Sequence, residues 1–122
     1  MATNFRISVH RKSEDLHLKL MGNFDGNSAH ELIKLLKRYG NRTARIFIHT
    51  SSLRNIYPFG VNVFHSNLDV LNDRSLTLVF TGEHASRLAP EEHIPSGLTI
   101  STIPPVAQSG TPISGLSPTK TG

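Results

Sequence analysis

No cysteine occurs among the 122 residues, which removes disulfide frameworks, thiol nucleophiles and zinc-thiolate clusters together. Stability must therefore come from packing and hydrogen bonding. No apolar run approaches the roughly 20 residues that cross a bilayer, and the start Met1-Ala2-Thr3-Asn4-Phe5-Arg6 has no basic region followed by an apolar stretch. A soluble, unexported, cytoplasmic protein is expected. A hydrophobic content of 37% in a chain of this length supplies one core and excludes a two-domain enzyme.

Catalytic signatures are also missing. The chain holds no G-x-S-x-G elbow, no G-x-x-x-x-G-K-S/T loop and no G-x-G-x-x-G turn; its glycines fall singly at turns. His30-Glu31-Leu32-Ile33-Lys34 stops one residue short of H-E-x-x-H, because a cation stands where zinc needs a second imidazole. His10 and His17 face each other in the simplest register of an N-terminal hairpin, but two ligands make a weak metal site. His49 and His65 read as isolated, and His84 and His93 lie across a proline that fixes no geometry. Asp25 has no paired carboxylate for acid and base roles. A non-enzymatic protein without metal or cofactor is the expectation.

Acids are absent from Leu32 to Leu68, whereas Lys34, Lys37, Arg38, Arg42, Arg45 and Arg54 fall there, in a chain of 13 Lys and Arg against 9 Asp and Glu. Lys37 and Arg38 suit the end of a helix, where cations offset the macrodipole. Read together, Lys34, Lys37, Arg38, Arg42 and Arg45 form a basic patch that could bind a nucleotide or nucleic acid. Interleaved stacking aromatics are few, so nucleic acid is the weaker reading.

Alternation of Phe5, Ile7 and Val9, then of Leu16, Leu18 and Leu20, predicts an antiparallel hairpin. Turn chemistry at 22–27 leads to a helix capped by Asn27 or Ser28, with Ala29, Leu32, Ile33 and Leu36 on its apolar face. The helix is expected to stop near Gly40, a residue free to turn left-handed. A strand is expected at Arg45–His49, a polar loop at Thr50–Asn55, a second helix from Pro58 to Leu71, and a strand over 76–80. A short helix near Glu83–Leu88 and an edge strand at Leu98–Ile100 complete a mixed α/β sheet with an antiparallel start and parallel crossovers. From Thr102 onward Pro, Gly, Ser and Thr dominate, so the domain is expected over 1–101 and a flexible tail over 102–122.

The run Leu18-Lys19-Leu20-Met21-Gly22-Asn23-Phe24-Asp25, with Ser28-Ala29 and Leu32, then Ile46-Phe47-Ile48, Leu53, Ile56 and Gly60, resembles the STAS family of anti-sigma factor antagonists over about residues 5 to 101. The L-x-G-x-F-D-x-x-S-A segment is its most specific part. This resemblance implies a small non-catalytic α/β domain that binds a protein partner, a kinase-like anti-sigma factor or another signalling protein of a bacterial cytosol. Family members that switch partners carry Asp-Ser-Ser-Gly, or a close variant, at the entry to the second helix and are phosphorylated on a serine there. Here the stretch is Tyr57-Pro58-Phe59-Gly60, and the acceptor position is Pro58. The resemblance also implies that Asp25 lies beside Gly60. Two alternatives stand for the loop: Phe59 turns inward beneath the helix, or Tyr57 and Phe59 stay exposed as anchors for a partner.

Overall fold

A computed structural model describes residues 4–41 and 43–103 of the chain. Strands β1 (Phe5–Lys12) and β2 (Asp15–Phe24) are followed by α1 (Gly26–Tyr39), β3 (Arg45–Ile56) and α2 (Pro58–Ser66). A 3-10 turn (Leu68–Leu71), β4 (Leu76–Thr81), α3 (Ala85–Leu88) and β5 (Leu98–Ile103) complete the order. The five strands lie side by side in chain order; β1 and β2 are antiparallel and each later neighbour is parallel. This is the mixed sheet that the hydrophobic pattern predicts.

One face of the sheet is covered. Leu16, Leu18 and Leu20 of β2, Ile46 and Ile48 of β3, Leu76, Leu78 and Phe80 of β4 and Leu98 of β5 join one core with Ala29, Leu32, Ile33 and Leu36 of α1 and Phe64 of α2. The period-2 strand pattern thus meets the helical stripe expected for α1, and each fully buried Leu or Phe contributes about 1.5–3 kcal/mol. Most alternate strand positions, including His17, Lys19, Phe47, His49, Thr77 and Ser101, are exposed or half-buried, whereas Val79 of β4 is buried. Among the described residues that second face carries no helix. Among the described residues no helix is long and apolar enough to cross a membrane.

Several boundaries differ from expectation. Asp25, not Asn27 or Ser28, is the N-cap of α1: its carboxylate accepts from the Ser28 amide at 2.9 Å. Gly40 ends α1 at φ −64, so the cap is not left-handed. β3 continues through the polar stretch to Ile56, because Thr50, Leu53 and Ile56 are all buried there. Two bulges hide this from the alternation: Lys19 to Met21 in β2 spans His49 to Ser52 in β3, and Gly22 to Asn23 spans Leu53 to Asn55. Thr50 tolerates burial since its hydroxyl donates to Thr81 O at 2.7 Å and accepts from the His84 amide at 3.1 Å.

The second helix is shorter than the spacing predicts. Asn67 donates from its side chain to Val63 O at 2.7 Å, closing α2 before the chain tightens into the 3-10 turn. β5 extends to Ile103 and so includes Thr102 and Ile103, two residues assigned to the tail; the remainder of that segment lies outside the described residues.

Candidate functional site

The C-terminal ends of the parallel strands β2 and β3 deliver the chain into α1 and α2. The Tyr57 amide donates to Phe24 O at 3.0 Å, so the two helix entries start side by side. Asp25 sits at the first entry, extended at φ −119 and ψ −166, with Oδ1 2.9 Å from the Ser28 amide and 3.0 Å from the Ser28 hydroxyl. The same hydroxyl lies 2.9 Å from Asn23 O, which shares its proton with the carboxylate. Asp25 therefore satisfies otherwise unpaired donors at the helix start.

Gly60 is buried against this cap. A Cβ added there would lie 2.8 Å from the carbonyl carbon and oxygen of Asp25 and 2.9 Å from its Cα, so only glycine permits the two backbones to meet. Asp25 and Gly60 are thus neighbours. Pro58 occupies the first turn of α2, where its fixed φ suits the helix and its missing N–H is no loss.

Tyr57 and Phe59 are both exposed, and Phe59, at 70%, is the most exposed large apolar side chain among the described residues. It does not turn inward beneath α2. One edge of its ring is seated on Gly26, where an added Cβ would come within 3.0 Å of Cε2. Asn55 donates to the Asn23 side chain at 2.8 Å, and Arg87 donates to Ile56 O at 3.1 Å, fixing the strand just before Tyr57. Sequence reasoning missed the Asn23–Asn55 and Arg87–Ile56 contacts because they run across strands or from α3, where spacing in the chain carries no signal.

The basic stretch does not form one patch. Lys34, Lys37 and Arg38 lie exposed on α1, and Lys34 and Arg38 share a shallow groove with Glu31, Leu35, Ile7 and Val9. Arg45 belongs to the opposite, open face of the sheet, where it pairs with Asp15 through Nε–Oδ1 at 3.1 Å and Nη2–Oδ2 at 3.0 Å. Arg42 lies outside the described residues.

The histidines are also redistributed. His10 does pair with His17 in the hairpin register, yet His17 Nδ1 lies 2.9 Å from Nε2 of His49, a residue that reads as isolated in the sequence. His49 Nδ1 is in turn 2.6 Å from the Thr81 hydroxyl, and Phe47 stacks on His17 at 4.6 Å. Burial first, then the neighbouring His17 and Lys19, lowers the His49 pKa below its ordinary value. His65 is tied as well: Nε2 donates to Leu88 O at 2.8 Å. No group of three or more metal-ligating side chains exists among the described residues.

A scan of protein families and a search of curated proteins find no match to the chain. Among solved structures it is similar to the anti-sigma factor antagonist SpoIIAA in its unphosphorylated form, with a TM-score of 0.50, 11% identity, and 62% of this chain and 72% of that one covered. The chain has a STAS-like fold. An uncharacterised protein of the DUF3478 family from Shewanella loihica, with a SpoIIAA-like fold, is a further similar structure at TM-score 0.49 and 16% identity, covering 82% of this chain and 89% of that one. Within the STAS-like domain the L-x-G-x-F-D-x-x-S-A segment forms the end of β2, the Asp25 cap and the first turn of α1.

Proposed function

We propose that this STAS-like domain is a non-catalytic module that docks a signalling protein, such as a kinase-like anti-sigma factor, through the entry to α2, without a serine phosphorylation switch at that entry. The observation that carries the reading is the pair of exposed rings at Tyr57 and Phe59 beside the buried Gly60–Asp25 contact. Aromatic side chains on a rigid backbone bury large area with little rotamer entropy lost, the usual chemistry of an interface anchor.

Charge supports the same assignment. The first turn of α2 holds no acid, and Pro58 stands where a phosphorylatable hydroxyl would bring a charge of about −2 to the helix N-terminus. A partner surface matched to this loop is therefore apolar at its centre, and binding is insensitive to salt compared with binding through several ion pairs. The test is affinity capture from the source cells with the native chain, Tyr57→Ala and Phe59→Ala. A partner retained by the native chain and lost by both variants supports the reading, whereas undiminished capture by both contradicts it.

A further inference from the structure

We propose that the cleft between Arg6 and Arg54 on the open face of the sheet binds a soluble phosphate monoester. The cleft, about 350 Å³, is bordered by Arg6, Ser52 and Arg54, with Phe5, Met21 and Gly22 also in its lining and Asn4 just ahead of β1. Its volume falls at the lower end of the range typical of small-molecule sites, about 300–1,000 Å³.

The floor is built by local backbone geometry. Gly22 has φ +95, and a Cβ there would lie 1.5 Å from Asn4 O, so the chain leading into β1 crosses directly over it. The Asn23 amide donates to the same Asn4 O at 2.9 Å and pins that crossing. The wall comes from the bulged part of β3. Leu53 is buried inward while Ser52 and Arg54 border the cleft from the same strand, opposite Arg6.

The electrostatics select the ligand class. Among the described residues the salt bridges join Arg45 to Asp15 and His93 to Glu92, so neither Arg6 nor Arg54 is paired with an acid. No acid lines the cleft. Lys12 and Lys19 occupy the same open face, and Asp15, its one acid on β1 to β3, is engaged by Arg45. Two guanidiniums without counter-charge match a dianion, and their planar forks suit phosphoryl oxygens, with the Ser52 hydroxyl as a further donor. A monocarboxylate would leave one positive charge uncompensated. We take the free monoester as the occupant, and a lipid headgroup as the alternative that binding to vesicles would reveal.

The test is a titration of the isotope-labelled chain with inorganic phosphate and then glycerol 3-phosphate, at ionic strength held constant with sodium chloride. Saturable amide shifts at Arg6, Met21, Gly22, Ser52 and Arg54 are expected. Arg6→Gln and Arg54→Gln, both at exposed positions, should each weaken binding about tenfold or more, and Lys34→Gln on α1 should leave it unchanged. Shifts that merely follow the chloride control, or persist in the double arginine variant with a native amide spectrum, overturn the proposal. Binding only to vesicles containing phosphatidic acid overturns the assignment of a soluble ligand.

Discussion

Arg54 and Tyr57 stand three positions apart in the chain, yet they serve two unlike surfaces. Arg54 borders a basic cleft on the side of the sheet that carries no helix among the described residues, and Tyr57 opens an uncharged aromatic entry to α2. The difference follows from which side of β3 is covered by helices. At the α2 entry the Phe59 ring edge rests on Gly26, beside the backbone contact between Gly60 and Asp25, so in the proposed docking this anchor starts partly ordered. In the cleft the long arginine side chains lose rotamer freedom on binding and need a ligand that takes several hydrogen bonds at once.

Each surface rests on one glycine, and substituting them is expected to have the largest effect. Gly22→Ala combines a strained φ with a collision against Asn4 O, and more than about 3 kcal/mol of stability should be lost in urea denaturation. Gly60→Ala meets Asp25 backbone at 2.8 Å, a milder overlap expected to destabilise by about 1–3 kcal/mol. Equal losses in the two variants would show that the contacts are not as unlike as their distances.

Function should separate the surfaces next. Phe59→Ala and Tyr57→Ala should each weaken partner binding by about 30-fold, near 2 kcal/mol, while changing stability by less than about 1 kcal/mol. Calorimetry with the captured partner and parallel denaturation measure both. Asp25→Ala removes the cap of α1 and should lower stability by about 1 kcal/mol. A loss near zero would mean that solvent replaces the carboxylate at no penalty.

The smallest effect lies on the open face. His49 has its pKa lowered by burial, then by His17 and Lys19, so the unfolded chain binds the proton more readily than the native one. Stability from this group is complete above the ordinary value of about 6.5 and declines as pH falls from there toward the lower native pKa. Denaturation across pH 5 to 8 should show a slope in that window that His49→Gln reduces, and an NMR titration of the ring should give a midpoint below that of an exposed histidine.

The covered half of the molecule was legible because Leu16, Leu18 and Leu20 alternate while Ala29, Leu32, Ile33 and Leu36 repeat at helical spacing. The far half of β3 was not. Two bulges break its alternation, and Thr50 occupies a core position through hydrogen bonds that no hydropathy pattern reveals. The His17–His49 contact was hidden because it depends on the parallel register of β2 and β3, which the residues of either strand alone do not specify. Of the α2 entry, the proline in the first turn was readable, as was the closeness of Asp25 to Gly60 through the family resemblance. The outward course of Phe59, whose ring edge rests on Gly26, was not readable, because spacing in the chain does not show that contact.

The most direct test of docking without a phosphate switch combines capture with intact mass. The native chain, isolated with its partner from the source cells, should carry no phosphoryl group on 57–60, and phosphatase treatment should leave the complex intact while Phe59→Ala abolishes it. A stoichiometric phosphoryl group on that segment whose removal changes partner binding, or a complex indifferent to Phe59→Ala, would contradict the account.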